Sequence, residues 1–430
     1  MSEIDISKEF NNYNIRNLQH WSPLNNIIND NENNNIQIKN IIKRLGHNIF
    51  EIKTIKDEVK TIFIKYSGIL DYTKYLVGKY SFDNSVLILP NKNNTKVCCK
   101  KKDNPYNSAY IDGFFSYLSN KLLKDKKLIN GILYYGSFLA NQSDYQVNIL
   151  DDLDYLSNSR IFLKNIDKYF KLDTKLNELL IDKKPRIKII EDNIELNDII
   201  NITEIEECSK SKVINDIYNE KDSDISESEN DSDNDDLESI TSSEMEEPMH
   251  AYINNYPINM ICLENLDETL DAYLNMNNIE IKEWKAIFMQ IIMTLLVYQN
   301  TYEFTHNDLH TNNVMYISTT MPYLYYEYKQ KYYKVPTFGK IWKIIDFGRS
   351  IYTYNSIRFA SDSFFQNEDA YSQYNCEPFF NPKKKKIEPN YSFDLCRLAC
   401  SIFDYLIEDI TNIKGALRDP IAKLINEWCL

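Results

Sequence analysis

Two short motifs in the second half of the chain limit its possible fold more than any other feature. Residues 306–313 fit the pattern H-x-D-L-x-x-x-N, and residues 346–348 read D-F-G. Apolar stretches with strand character, 314–317 and 341–345, adjoin them. Either motif alone occurs by chance. The two in this order, each beside a strand and behind an amphipathic helix, form a specific combination.

The polar residues of the two motifs suit the transfer of a phosphoryl group. Such a reaction needs a carboxylate near the attacking hydroxyl, and metal ions that neutralise charge between the phosphates. Asp308 would accept or orient the hydroxyl proton. Asn313 and Asp346 would place an amide oxygen and a carboxylate on Mg²⁺. Gly348 would let the backbone turn sharply behind Asp346.

The composition is that of a globular chain with one strongly acidic segment. The 430 residues, 43% of them apolar, are enough for two or three domains with a sizeable core. The net charge is -14, and residues 220–247 carry 13 acidic residues and one lysine. We expect this segment to be a disordered linker, because it cannot bury apolar surface. Because much of the negative charge lies in this segment, it argues only weakly against nucleic-acid binding by the remainder. The tyrosine-rich residues 323–340 mix Lys with Glu and show no basic stripe, so nucleic acid is not an expected partner.

The cysteines and the hydropathy pattern favour a soluble intracellular protein. The eight cysteines show no metal-binding spacing, which is typical of free thiols in a reducing compartment. No apolar run reaches the ~18 residues of a membrane-spanning helix, and the N-terminus has no apolar signal segment. We therefore expect no membrane partner, and no pattern specifies an oligomeric state.

The N-terminal half contains the segments expected to hold phosphate groups. Residues 61–66 are the best candidate for a strand with a phosphate-binding lysine, Lys65; an ordinary strand lysine is the alternative. Residues 106–126 have apolar positions at a 3.6-residue period and predict a helix. Asp112 is the only acid of this helix before Asp125. It is the candidate partner of Lys65, and a solvent-exposed position on the helix is the alternative.

Further strands and helices lead to the first motif. Residues 257–264 predict a buried strand, after which backbone groups at Glu264 and Leu266 could bind an adenine base. A plain buried strand is the alternative. Residues 284–298 predict a helix with a core-facing apolar stripe, and the tyrosine-rich residues 323–340 predict a hairpin.

With these features the chain resembles divergent serine/threonine protein kinases of giant DNA viruses, of the mimivirus type. The matching segments are Phe63-Ile64-Lys65, Asn107-Ser108-Ala109-Tyr110, Tyr135-Gly136-Ser137-Phe138, His306-Asn307-Asp308-Leu309-His310, Asp346-Phe347-Gly348-Arg349-Ser350 and Phe393-Asp394-Leu395-Cys396-Arg397.

The resemblance implies an α+β, two-lobed protein kinase-like fold. A polar N-terminal extension would cover residues 1–40. A small β-rich lobe would cover 41–264, with insertions at 69–104 and at the acidic segment 220–247. A larger helical lobe, short at its C-terminus, would cover 265–430.

The same resemblance implies ATP and Mg²⁺ as cofactors, a protein substrate and transfer to Ser or Thr; packaging in the virion is a further analogy. His310 replaces the lysine usual near the γ-phosphate and is a candidate cofactor-binding residue. Asn307 replaces the arginine that usually contacts a phosphorylated loop, so that form of control is not expected. Gly46 is the only glycine before Lys65, so a glycine-rich phosphate loop is missing. A pseudokinase that acts as a binding module and a small-molecule phosphotransferase are the alternatives.

Overall fold

The computed structural model describes residues 22–28, 37–82, 84–91, 99–180, 248–366, 368–373, 387–407 and 413–430. The predicted disordered segment 220–247 and most of the predicted N-terminal extension lie outside the described residues. The strands are β1 Ile38–Arg44, β2 Ile49–Thr54, β3 Val59–Gly68, β4 Tyr134–Asn148, β5 Phe170–Leu172, β6 His250–Glu264, β7 Glu268–Thr269, β8 Val314–Ser318, β9 Tyr323–Tyr328, β10 Lys331–Pro336, β11 Lys340–Ile344, β12 Ile351–Tyr354 and β13 Ile357–Ala360.

The described residues contain helices as well as strands, which confirms the predicted α+β class. The α-helices are α1 Asn25–Ile28, α2 Tyr72–Leu76, α3 Asn84–Leu87, α4 Lys100–Asp103, α5 Ser108–Lys124, α6 Leu153–Ser157, α7 Arg160–Asn165, α8 Thr174–Leu180, α9 Leu270–Met276, α10 Ile281–Tyr302, α11 Phe393–Leu406, α12 Ile413–Ala416 and α13 Pro420–Cys429. Short 3₁₀ helices cover Thr311–Asn313, Asp362–Phe364 and Tyr371–Gln373. In the part of the chain described, no helix is long and apolar enough to cross a bilayer.

The main sheet is a curled antiparallel half-barrel in the order β1-β2-β3-β6-β4, with β5 paired to β6. Its longest strands, β4 and β6, have 15 residues each. Strand β3 confirms the strand predicted at 61–66. Its isoleucines Ile62 and Ile64 are buried on one face, as the two-residue period of a strand requires. Lys65 therefore lies on the opposite face, the side on which the second motif approaches.

Helix α5 packs against the main sheet. In the chain it lies between β3 and β4. It confirms the predicted helix, two residues shorter at each end, and begins where the Asn107 side chain accepts a hydrogen bond from the Ala109 N–H. The helix comes close to the sheet at Gly113, where a Cβ atom would lie 2.8 Å from Ser137 Oγ. A second contact joins them, because Asn259 Nδ2 of β6 donates to the Ala109 carbonyl at 2.7 Å.

Strands β8 and β11 bring the two motifs together. They pair antiparallel with Val314 opposite Ile344, so the end of the first motif lies beside the start of the second. The Ile345 N–H extends this pairing by donating to the Asn313 carbonyl at 3.0 Å. Long apolar side chains of α5, α10 and β11 form the hydrophobic core beside these strands, in which Trp342 is 2% exposed. The predicted helix 284–298 and the hairpin predicted at 323–340 are both present, as α10 and as β9 with β10.

Candidate active site

Lys65 joins the helix and the second motif at one point. Its Nζ lies 2.7 Å from Asp112 Oδ2 and 2.7 Å from Asp346 Oδ1. The other oxygen of the Asp112 carboxylate accepts a hydrogen bond from the Phe347 N–H at 2.9 Å. Three predicted site residues, each on a different element, therefore meet in one hydrogen-bonded cluster.

Burial and neighbouring charges have opposing effects on the pKa values of the three residues in this cluster. Burial alone would lower the pKa of Lys65, but the carboxylates of Asp112 and Asp346 outweigh it and raise that pKa. Burial raises the pKa of Asp112, opposed by Lys65. Burial also acts to raise the pKa of Asp346, yet the Lys65 ammonium brings the net shift below its usual value. The side chain of Asp346 is nevertheless 44% exposed, so this carboxylate is accessible from solvent.

The backbone at Asp346 is held in an unusual conformation. Its φ of 63° lies in the left-handed region, which aspartate tolerates better than most residues. The residue before it is fixed as well, since the His306 ring Nε2 lies 2.9 Å from the Ile345 carbonyl oxygen. A ring from the first motif thus supports the chain as it enters the second.

Asp394, at the start of α11, shapes the loop of the first motif. Its buried carboxylate accepts hydrogen bonds from the N–H groups of His306 and Asn307, at 2.8 and 2.9 Å. Asn307 has a φ of 65°, and its side chain donates to the Arg349 carbonyl at 2.9 Å. Burial raises the pKa of Asp394, opposed by the His306 ring and the two N–H groups. These hydrogen bonds hold the backbone of the loop at His306 and Asn307.

Asp308 is the predicted proton acceptor, and two arginines approach it. Its Oδ2 lies 3.3 Å from Arg349 Nη1, and its Oδ1 lies 3.9 Å from Arg397 Nη2. Arg349 also binds Asp369, with Nη2 and Oδ2 2.7 Å apart. The Asp308 side chain is 23% exposed, so an incoming hydroxyl has access but would meet a carboxylate that already has a cationic partner.

Asn313 and His310 form a second pair beside Asp308. Asn313 Nδ2 donates to the Asp308 carbonyl at 2.9 Å and lies 3.0 Å from His310 Nε2. Burial lowers the pKa of His310, and Arg397 adds to this effect, while the carboxylate of Asp308 opposes it. A neutral imidazole can accept the amide hydrogen bond, so His310 acts here as a hydrogen-bonding group rather than as a cation.

Glu264 and Leu266 lie at the end of β6, where the sequence predicted a base-binding segment. The Glu264 N–H donates to the Leu133 carbonyl at 3.0 Å, and the Glu264 side chain is buried against Lys343 with Oε1 and Nζ 2.5 Å apart. Leu266 packs in the core and is 9% exposed. Lys343 is a buried partner of this segment that the sequence patterns did not predict. Its signal was a lysine inside the apolar stretch 341–345, which requires a buried acid elsewhere.

Asn313 and Asp346 are the predicted ligands of Mg²⁺. Among the residues that the structure describes, no group of three or more His, Cys, Asp or Glu side chains is arranged to hold a metal. Asn313 and Asp346 would supply two oxygen ligands. That number fits Mg²⁺, which usually takes one or two protein ligands and completes its octahedron with water and phosphate oxygens.

Comparisons with known proteins do not assign the chain to a family. No protein-family model matches it, and no curated protein matches it. What the protein does must therefore be inferred from the arrangement of its own residues.

Proposed function

We propose that the chain is a divergent protein kinase-like phosphotransferase that transfers the γ-phosphoryl group of ATP to Ser or Thr of a protein. The observation that carries this proposal is the position of the Lys65 ammonium, 2.7 Å from both Asp112 and Asp346. An active kinase needs such a strand lysine paired with an acid of the adjacent helix, beside the aspartate that binds the metal.

The order of elements around the cluster supports a two-lobed arrangement of this kind. The main antiparallel sheet carries the lysine on its third strand, and four helices, the last of them α5, follow before the next strand of that sheet. The long helix α10 then leads into the loop that contains Asp308. The sheet with Lys65, followed by α10 and the loop with Asp308, supports the proposed order of a small lobe before a helical lobe.

Each residue of the site has a role in this reaction. Lys65 would bind the phosphate oxygens of ATP, while Asn313 and Asp346 would hold Mg²⁺. The ion, when bound, neutralises charge between the phosphates. Asp394 and His306 keep the loop and the start of the second motif in place through the hydrogen bonds they make. Because little covalent chemistry is required, this positioning is the main contribution of the protein.

The transfer step places the proton on Asp308. The acceptor hydroxyl oxygen forms a bond to the γ-phosphorus while the bond from that phosphorus to the bridging oxygen of ADP breaks. The hydroxyl proton passes to the Asp308 carboxylate. Arg349, at 3.3 Å, must move or share this carboxylate when the hydroxyl approaches.

Phosphate transfer from labelled ATP and Mg²⁺ to generic protein substrates tests the proposal. We expect Asp308→Asn to lower the rate by about 10²–10⁴-fold, because it removes the proton acceptor. Asp404→Asn, at an exposed position of α11, is the matched control and should keep the wild-type rate. Equal rates for wild type and Asp308→Asn would remove Asp308 from the mechanism.

The ion pair between Asp308 and Arg349 favours a second candidate, a pseudokinase that binds nucleotide or a partner without transferring phosphate. The predicted absence of a glycine-rich loop agrees with this candidate. It is distinguished by an ATP-dependent rise in melting temperature without phosphate incorporation by wild type. Incorporation by wild type, lost in Asp308→Asn, would exclude it.

A further inference from the structure

The insertion 69–104 contacts the start of helix α5 and the segment that follows the second motif. Its described residues, with 83 and 92–98 left out, include helices α2 and α4. Residues 104–107 connect helix α4 to α5, the helix that carries Asp112. Segment 361–373, which follows the second motif, lies against the same insertion.

Asp362 is the centre of this contact. Its Oδ1 accepts the Ser108 N–H at 3.1 Å and lies 3.0 Å from Lys101 Nζ. Its Oδ2 accepts from Asn104 Nδ2 at 3.2 Å. The Asp362 side chain is 2% exposed, and Ser108 is the first residue of α5. A buried carboxylate from the later segment therefore binds the N-terminal end of the helix, where the helix dipole favours negative charge.

Glu368 extends the contact to helices α2 and α4 of the insertion. Its Oε2 lies 2.8 Å from Lys101 Nζ, and its Oε1 lies 2.9 Å from Lys74 Nζ. All three side chains are less than one fifth exposed. These pairs are therefore shielded from water and screened less by salt than surface ion pairs.

Asn107 attaches the insertion to the helix. Its Nδ2 donates to the Ile69 carbonyl at 2.9 Å and to the Lys101 carbonyl at 3.0 Å. Its Oδ1 accepts from the Ala109 N–H in the first turn of α5. One fully buried side chain thus joins both ends of the insertion to the start of the helix.

Segment 361–373 also reaches the loop that carries Asp308. Gln373 Nε2 donates to the Asn307 carbonyl at 2.9 Å. Close to it in the same segment, Asp369 binds the arginine that pairs with Asp308. The segment therefore contacts the insertion through Asp362 and the loop of the first motif through Gln373.

From these contacts we infer that the insertion is a brace, in which Lys101 and Asp362 are positioning residues that set the helix carrying Asp112. This inference rests on the proposed function and adds positioning residues to the same site. The brace keeps α5 where Asp112 reaches both Lys65 and the Phe347 N–H. Asp362 and Glu368 are carboxylates, so the brace is charged without any phosphorylation of the segment.

Amide hydrogen exchange of the full chain without nucleotide tests the brace independently of catalysis. We expect Lys101→Met to raise exchange at residues 108–113 and 346–350 by about 100-fold, because it leaves the buried Asp362 carboxylate without its lysine partner. The matched control is Lys127→Met, since Lys127 is 64% exposed and its ion pair with Asp125 spans 3.9 Å. Exchange in that variant should equal that of wild type.

Two further measurements keep the inference open to refutation. Asp362→Asn keeps an oxygen for the Ser108 N–H but removes the charge, so it replaces Lys101→Met if that variant does not fold. In a transfer assay, Lys101→Met should lower kcat by about tenfold or more with little change in KM for ATP, as expected for lost positioning. Increased exchange confined to residues 69–104 would overturn the brace. A wild type without transfer activity would instead refute the proposed function and leave the exchange result valid.

Discussion

Glu264 and Lys343 form a buried ion pair between the last residue of β6 and a central residue of β11, with Oε1 and Nζ 2.5 Å apart. Lys343 also donates to the Gly131 carbonyl at 2.9 Å, and Glu264 accepts the Leu133 N–H at 2.7 Å. Both side chains are at most 7% exposed. The main sheet is thereby joined to the strand that delivers Asp346 to the site.

The first prediction concerns the cost of breaking this pair. Lys343→Met should lower the free energy of unfolding by about 3–5 kcal/mol, because it leaves the Glu264 carboxylate buried without a cation. Adding Glu264→Gln to that variant should recover part of the loss. Urea unfolding measures both. The control is Lys423→Met, whose pair with Glu427 is exposed and 4.0 Å long, and which should change stability by less than about 0.5 kcal/mol. A small effect of Lys343→Met would contradict the prediction.

The second prediction concerns Asp394. Asp394→Ala leaves the N–H groups of His306 and Asn307 buried without an acceptor. Since each unpaired group costs about 1–3 kcal/mol, we expect a loss of about 2–6 kcal/mol in unfolding free energy. Asp394→Asn keeps one oxygen acceptor and should lose less. Denaturant unfolding of the two variants gives this order, and equal losses would show that the charge matters more than the hydrogen bonds.

The third prediction concerns pH and His310. The folded protein lowers the pKa of His310 below its usual 6.5, mainly through burial. In the unfolded chain the ring binds its proton at higher pH. The stability that His310 contributes is therefore fully present above pH 6.5 and declines as the pH falls from there toward the folded pKa. His310→Gln should remove this part of the pH dependence of urea unfolding. An NMR titration midpoint of the ring at or above 6.5 would contradict the prediction.

Much of the local structure could be predicted because its signals lie close together in the chain. The two-residue period of β3 and the 3.6-residue period of α5 and α10 are local, and so are the spacings within the two motifs. The grouping of Lys65, Asp112 and Asp346 was also predictable, because the motifs assign each of them a role around one phosphate chain.

The remaining pairings depend on the register and packing of distant segments. Glu264 and Lys343 are 79 residues apart, and the bonds of Asp362 to Asn104 and Ser108 cross more than 250 residues. No local period marks such partners. The sequence indicates only that a lysine inside an apolar strand needs an acid, and the fold determines which acid it meets. The adenine contacts of the backbone at Glu264 and Leu266 remain predictions.

The last prediction concerns how the short side chain of Asp112 reaches Lys65. Asp112 is one methylene shorter than the glutamate usual at this place in kinases, so it meets Lys65 only if α5 lies close to the sheet. Gly113 allows this approach, because a Cβ there would lie 2.8 Å from Ser137 Oγ and 3.1 Å from Asn259 Nδ2. The two neighbouring residues should therefore be coupled.

A double-mutant cycle on the unfolding free energy measures that coupling. Asp112→Glu alone should cost about 1–3 kcal/mol by overpacking a site shaped for the shorter acid. Gly113→Ala alone should fail to give the ~0.5–1 kcal/mol gain usual for this change inside a helix, because the methyl group pushes the helix outward. In the double variant the outward shift makes room for glutamate, so the combined loss should be smaller than the sum by about 0.5 kcal/mol or more. Asp112→Glu combined with Lys124→Ala, at the far end of α5, should be additive. Additivity of Asp112→Glu with Gly113→Ala as well would mean that the close approach of the helix does not set the reach of Asp112.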